Sequence, residues 1–146
     1  MITIIIAVGV LLFLFWKCRH FIPSIDETPS SNGERRCREW LEARFTRSFP
    51  RVRPDWLRNP IFNKNLELDC FNEELRLAVE YNGRQHYTHV PYFHRDPDAF
   101  EYTKLRDQLK QELCRQAGVH LIVVPYYITD IEGFLDDRVN EWLSNQ

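Results

Sequence analysis

The segment Leu66-Glu-Leu-Asp-Cys-Phe-Asn-Glu-Glu-Leu-Arg-Leu-Ala-Val-Glu-Tyr-Asn-Gly-Arg-Gln-His-Tyr87 constrains the fold more than any other stretch of the chain. Its period is two. Leu75, Leu77 and Val79 alternate with Arg76, Ala78 and Glu80, so the larger aliphatics take one face of a strand and Glu80 takes the other. Asn72-Glu-Glu74 supplies a turn, which makes the segment a β-hairpin. Its first strand is closed by Asp69 and its second runs from Leu75 to Tyr81. An acid thus ends each of two paired strands. Two carboxylates so placed form a hard-oxygen site for a divalent cation such as Mg²⁺, the minimum apparatus for cutting a phosphodiester.

The chain has 146 residues, enough for one ordinary domain and too few for two. Aromatic residues make up 14 % of it, including Trp40, Trp56 and Trp142, so a core is affordable without disulfides. The formal net charge of −2 argues against bulk electrostatic capture of nucleic acid and leaves room for a local basic patch. Cys18, Cys37, Cys70 and Cys114 are far apart and contain no C-x-x-C pair, which favours free thiols in a reducing compartment over two disulfides.

Ile2 to Trp16 is an uncharged run whose only polar side chain is Thr3. As a helix it spans roughly 22 Å, short of the ~30 Å hydrocarbon core, and Phe21 and Ile22 extend it if Lys17 and Arg19 snorkel. No basic residue precedes the run and no small-x-small cleavage site follows it, so a membrane anchor over residues 1–22 is favoured over a cleaved signal. Lys17 and Arg19 then place the N-terminus outside and the rest of this single-pass protein in the cytoplasm.

Residues 23–33 read as a linker rich in Pro, Ser, Thr, Asn and Gly, and residues 34–146 as one domain. Ser31-Asn-Gly-Glu34 is a capping-box pattern, and a helix is expected from about Gly33 to Arg47 with Cys37, Trp40, Leu41 and Phe45 on its apolar stripe. Phe49 to Trp56 is prolyl and basic, hence extended or turning, and Leu57 to Asn65 is a loop or short helical turn. A helix over Asp98–Ala117 is stopped by Gly118 as a C′ residue. Val119 to Pro125 is a continuous apolar run, as in a strand buried on both faces. Asp130 to Ser144 closes the chain as a helix. The order is α-β-β-α-β-α, a small sheet flanked by helices.

This order, with Glu34, Asp69 and the run Glu80-Tyr-Asn-Gly-Arg-Gln-His-Tyr87, resembles the PD-(D/E)XK nuclease superfamily, and within it the small branch related to very short patch repair endonucleases. Phe100-Glu-Tyr-Thr-Lys-Leu-Arg-Asp107 followed by Cys114-Arg-Gln-Ala-Gly-Val-His-Leu-Ile-Val-Val-Pro125 is similar to that branch's helix with an Arg-Asp pair, a Gly and a buried strand. Restriction-endonuclease-like proteins predicted in large DNA viruses look similar over the same span, roughly Ser31 to Tyr127. The resemblance implies a restriction-endonuclease-like α/β core with a small mixed sheet. It implies a Mg²⁺- or Mn²⁺-dependent endonuclease acting on nucleic acid, DNA in the first place, and it admits a homodimer, since many nucleases of that fold dimerise.

The resemblance assigns Asp69, Glu80 and the carbonyl of Tyr81 to the metal and Glu34 to the same site from the first helix. Capping alone is the alternative for Glu34, as solvated strand-end acids are for Asp69 and Glu80. The superfamily places a Lys two residues after the second acid, where this chain has Asn82. Gln85 or His86 is expected to orient the water or bind phosphate in its stead, or Lys104 or Lys110 to reach in from the following helix. This departure keeps a catalytically silent nucleic-acid-binding or protein-interaction module of the same fold as the rival reading. Arg51, Arg53, Arg84, His89, Arg95 and Lys104 are candidates for phosphate contacts, interleaved with aromatics that stack on exposed bases. The alternative is a loop whose aromatics close the core while its arginines face water. His86, His89 and His94 match no strong zinc spacing.

Overall fold

The computed structural model describes residues 31–88 and 97–146. Helix α1 (Asn32–Phe45) starts where Ser31 accepts a hydrogen bond from the Glu34 N–H at 3.1 Å, and stops at Thr46, whose left-handed backbone bonds back to Glu42. Two short strands, β1 (Arg58–Asn59) and β2 (Lys64–Asn65), pair antiparallel as a separate ribbon where a loop or helical turn is expected. The hairpin follows as β3 (Cys70–Asn72) and β4 (Leu77–Asn82). A single 3-10 turn over Arg84–His86, helix α2 (Pro97–Gln116), β5 (His120–Pro125) and α3 (Ile131–Ser144) complete the described chain. Gly118, at φ 68°, takes the left-handed position after α2, and Asp130 caps α3 by accepting from the Gly133 N–H at 3.0 Å.

The main sheet is mixed, in the order β3-β4-β5. β3 runs antiparallel to β4, and β4 runs parallel to β5 through the α2 crossover, with Leu77 opposite His120 and Asn82 opposite Pro125. Both faces are covered, which is why Leu77 to Glu80 are all buried. On one face Cys37 and Leu41 of α1 and Leu135 and Val139 of α3 pack on Leu77, Val79, Ile122 and Val124. On the other, Leu57, Leu68, Phe71 and Ala78 pack with Cys114 of α2. Cys37, Cys70 and Cys114 are free and buried.

Two expectations are corrected. The turn sits later than Asn72-Glu-Glu74: it spans Glu73–Arg76, Arg76 takes φ 51°, and the second strand begins at Leu77. Asp69 therefore precedes the first strand of the hairpin instead of closing it. The N-terminal membrane helix expected beside the α/β core also gives way. The described residues form a small α/β fold with a mixed sheet and three helices, and no helix among them is long and apolar enough to cross a membrane. α2 has the length, at 20 residues, but it carries charges along its whole course. The single-pass arrangement with a cytoplasmic domain thus finds no spanning helix there. The run Ile2–Trp16 on which it rested lies outside the described residues.

Candidate active site

The hairpin's register explains how its acids meet. Cys70 is opposite Val79, and Asp69, one residue before β3, comes beside the Glu80–Tyr81 end of β4. Glu80 faces α2, where Lys110 reaches it, and Asp69 lines the same basin from the bend before β3. The Oδ2 atom of Asp69 accepts a hydrogen bond from the Tyr81 N–H at 3.1 Å. The N–H and C=O of one strand residue leave on the same side, so the Tyr81 carbonyl is directed toward Asp69 as well.

The electrostatics of this corner are tense. Burial raises the Asp69 carboxyl above its ordinary range, and the neighbouring Glu34 charge adds to the rise. Glu80 is 5 % exposed. Burial pushes its carboxyl up to about 7, against the pull of Lys110 and with a further push from Asp69. Lys110 comes from α2, and its Nζ stands 2.5 Å from Glu80 Oε1. One helical turn earlier, Arg106 lines the same basin, and its buried Nε has no hydrogen-bond partner among the described residues.

Glu34 closes the third side. It is buried, and its carboxylate accepts from Arg51 Nη2 at 2.6 and 2.8 Å and from Arg38 Nη2 at 3.0 Å. Arg38 Nη2 also donates to the Asp69 carbonyl at 2.7 Å, tying α1 to the strand that carries the acid. Gly33 lets the helix end approach the sheet, since a Cβ there would lie 2.3 Å from Tyr81 Cζ. Glu34 thus does more than accompany the cap, and its charge is already balanced by two guanidinium groups.

A basin of about 890 Å³ joins these groups, and Glu34, Asp69, Glu80, Asn82, Gln85 and His86 all line it together with Tyr81. Asn82 lowers the proton affinity of the nearby Tyr87 hydroxyl, against the larger effect of burial. His86 Nδ1 lies 2.7 Å from Asp107 Oδ2, which makes Asp107 the orienter of the ring. The expected phosphate contacts are divided. Arg53 lines the basin while pairing with Glu67 at 2.8 Å. Arg51 is turned inward onto Glu34, the opposite of a groove arginine. Arg84 is exposed and does not line the basin. Lys104 pairs with Glu101 at 2.9 Å and lies over the Phe100 ring, so of the two α2 lysines it is Lys110 that lines the basin. His89 and Arg95 lie outside the described residues. Reading α2 as a helix carries a signal for its contribution: Arg106, Lys110 and Cys114 recur at four-residue spacing, so a buried Cys114 draws two cations to the inward stripe.

Among the described residues no group of three or more His, Cys, Asp and Glu side chains is set to hold a metal ion. Mg²⁺ commonly takes one or two protein carboxylates and completes its shell with water and substrate phosphate. Asp69, Glu80 and the Tyr81 carbonyl match that donor chemistry. Two buried carboxyls with raised proton affinity, Glu80 in part through the charge of Asp69, are also what a divalent cation relieves.

No family model matches the chain, and no solved structure matches it. Three viral proteins are similar to it in sequence. Uncharacterized protein 033L of Invertebrate iridescent virus 3 is 49 % identical over 115 residues, covering 77 % of this chain and 59 % of the relative. Uncharacterized protein 307L of Invertebrate iridescent virus 6 is 39 % identical over 142 residues, 87 % of this chain and 72 % of the relative. Uncharacterized protein 094L of Frog virus 3 (isolate Goorha) is 39 % identical over 106 residues, 72 % and 68 % respectively. The chain spans about three fifths of the length of the first of these relatives (59 %). At these identities and spans, the chain belongs to the protein family that includes uncharacterized proteins 307L and 094L of those two viruses.

Proposed function

We propose that the protein is a divalent-metal-dependent endonuclease that hydrolyses phosphodiester bonds of nucleic acid, DNA in the first place, within the restriction-endonuclease-like superfamily its sequence resembles. The observation that carries this reading is the convergence of Asp69, Glu80, Gln85 and His86 on one basin, with Lys110 Nζ 2.5 Å from Glu80. Asp69, Glu80 and the Tyr81 carbonyl would hold the cation, which supplies a water of lowered pKa and positive charge against the phosphate.

The chain's own groups do the rest. Lys110 brings from α2 the cation that the superfamily's pattern places where Asn82 stands, and it donates to a phosphate oxygen or to the attacking water. Arg106 balances the phosphate charge from the same helix face. With Nδ1 engaged by Asp107, His86 keeps Nε2 for exchanging a proton with the leaving oxygen. Gln85 and Asn82 orient water.

Full-length protein incubated with Mg²⁺ or Mn²⁺ and labelled plasmid or oligonucleotide tests the proposal. Cleavage is expected, and it vanishes in Asp69→Asn and Glu80→Gln. Cleavage that persists in both variants marks a contaminant and refutes the assignment. A second reading is favoured by Asn82 at the lysine position and by the two arginines on Glu34: a catalytically silent binding module of the same fold. Binding of DNA without cleavage under all these conditions selects it.

A further inference from the structure

Beside the acids, the basin has an aromatic wall that the proposed hydrolysis does not use. The turn between β1 and β2 carries Ile61 and Phe62 into solvent at 77 % and 54 % exposure, a costly way to place two large apolar side chains unless something covers them. The turn is braced. Buried Asn59 accepts from the Ile61 and Phe62 N–H groups at 2.9 and 3.4 Å, and its Nδ2 donates to the Tyr102 hydroxyl at 3.4 Å. Phe62 and Tyr102 meet edge to face with centroids 5.3 Å apart, and both line the basin. Lys64, Arg53, Arg106 and Lys110 line it too, so stacking surface and cations share one concavity.

We infer that this ribbon is a base-stacking wall, and that the substrate class is a polynucleotide with unpaired bases at the reacting phosphate: a single strand, a flap or a bulge. The inference rests on the phosphodiester reading of the same site. The chemistry of the wall favours it. Cations shared with the aromatic wall suit an anionic chain bearing flat rings, whereas an apolar peptide segment would offer Lys64 no counter-charge. A basin of about 890 Å³ is of small-ligand size and suits one or two nucleotides, not a duplex. Stacking needs a free π-face, which a base inside an intact duplex does not offer.

Fluorescence anisotropy with the full chain in EDTA measures affinity for one labelled DNA sequence as a single strand, as a blunt duplex and as a duplex with a central unpaired bulge, with the single-stranded RNA as a fourth arm. The single strands and the bulge should bind at least ~10-fold more tightly than the blunt duplex. Phe62→Ala should cost about 10-fold on the single strand and leave duplex affinity and melting temperature unchanged, while Phe62→Tyr restores the single-strand value. Equal affinity for single strand and duplex overturns the inference, as does an unchanged affinity in Phe62→Ala or binding to none of the probes. A peptide that displaces the single strand while Phe62→Ala leaves DNA affinity intact points to a protein occupant and also overturns it. Because no metal is present, an inactive protein still gives an answer. A cleaving protein that prefers the blunt duplex refutes only the wall.

Discussion

Replacing Lys110 by methionine strips Glu80 of its cation while keeping much of the lysine stem's volume. The pair is nearly dry, with side-chain exposures of 13 % for Lys110 and 7 % for Glu80. Removing one member of a buried pair costs about 3–5 kcal/mol if the other stays charged, but Glu80 has an escape in taking up a proton. Its folded carboxyl already sits at about 7 against an ordinary 4.5. Because the folded value lies above the unfolded one, the stability this group contributes is fully present below pH 4.5 and is lost as pH rises through 7. At ~1.4 kcal/mol per pH unit that loss amounts to about 3 kcal/mol. Lys110 is the cation that opposes the rise, so Lys110→Met carries the loss further up the pH scale. Between pH 7 and pH 8 that further loss is at most ~1.4 kcal/mol, so thermal unfolding followed by circular dichroism should find Lys110→Met close to wild type at pH 5 and lower by roughly 5 °C at pH 8. Adding Glu80→Gln to the variant should make this difference vanish at every pH. Equal destabilisation at pH 5 and pH 8, or a pH dependence that survives in the double variant, would refute the reasoning.

Three further outcomes follow from the same geometry. Asp69→Asn should keep the hydrogen bond to the Tyr81 N–H and melt at or above the wild-type temperature at neutral pH, since burial and Glu34 disfavour the native carboxylate; a large drop in calorimetric melting temperature would contradict this. Glu34→Gln removes the shared partner of Arg51 and Arg38, whose side chains are 11 % and 25 % exposed. It should cost on the order of 3–5 kcal/mol in urea unfolding, and a cost below about 1 kcal/mol, the level of a solvent-exposed pair, would mean that the cluster is solvated. Gly33→Ala drives a methyl to 2.3 Å from the Tyr81 ring and should destabilise by ~1–3 kcal/mol in the same assay, with a changed tyrosine near-ultraviolet signal; an unchanged signal and stability would place the helix end farther from the sheet.

The parts of this fold that could be read from sequence are those written in local signals. Ser31 and Glu34 mark the start of α1, Gly118 the end of α2 and Asp130 the start of α3, because caps are chemistry between residues three apart. The alternation before Glu80 shows that it opposes the aliphatic face. It does not say where the turn lies, and the structure puts it nearer to Leu77, with Asp69 at the hairpin's open end. The β1-β2 ribbon was illegible because two-residue strands carry no alternation, and its brace, Asn59 to Tyr102, joins residues 43 apart. Arg51 looks like any loop arginine until its partner 17 residues away in sequence is known. Lys110 was visible as an option and Lys104 equally so. What separates them is which side of α2 faces the sheet, and the buried Cys114 reveals that side only once it is known to be buried.

The account stands or falls on one cation shared by positions 69 and 80, and electron paramagnetic resonance of added Mn²⁺ reads that directly. The predicted result is loss of the free-ion signal at about one ion per chain in the wild type. Mg²⁺ should restore the signal by competition, and Asp69→Asn and Glu80→Gln should show no such loss. A wild-type protein that leaves the Mn²⁺ signal untouched, or an Asp69→Asn variant that binds the ion as the wild type does, would contradict it.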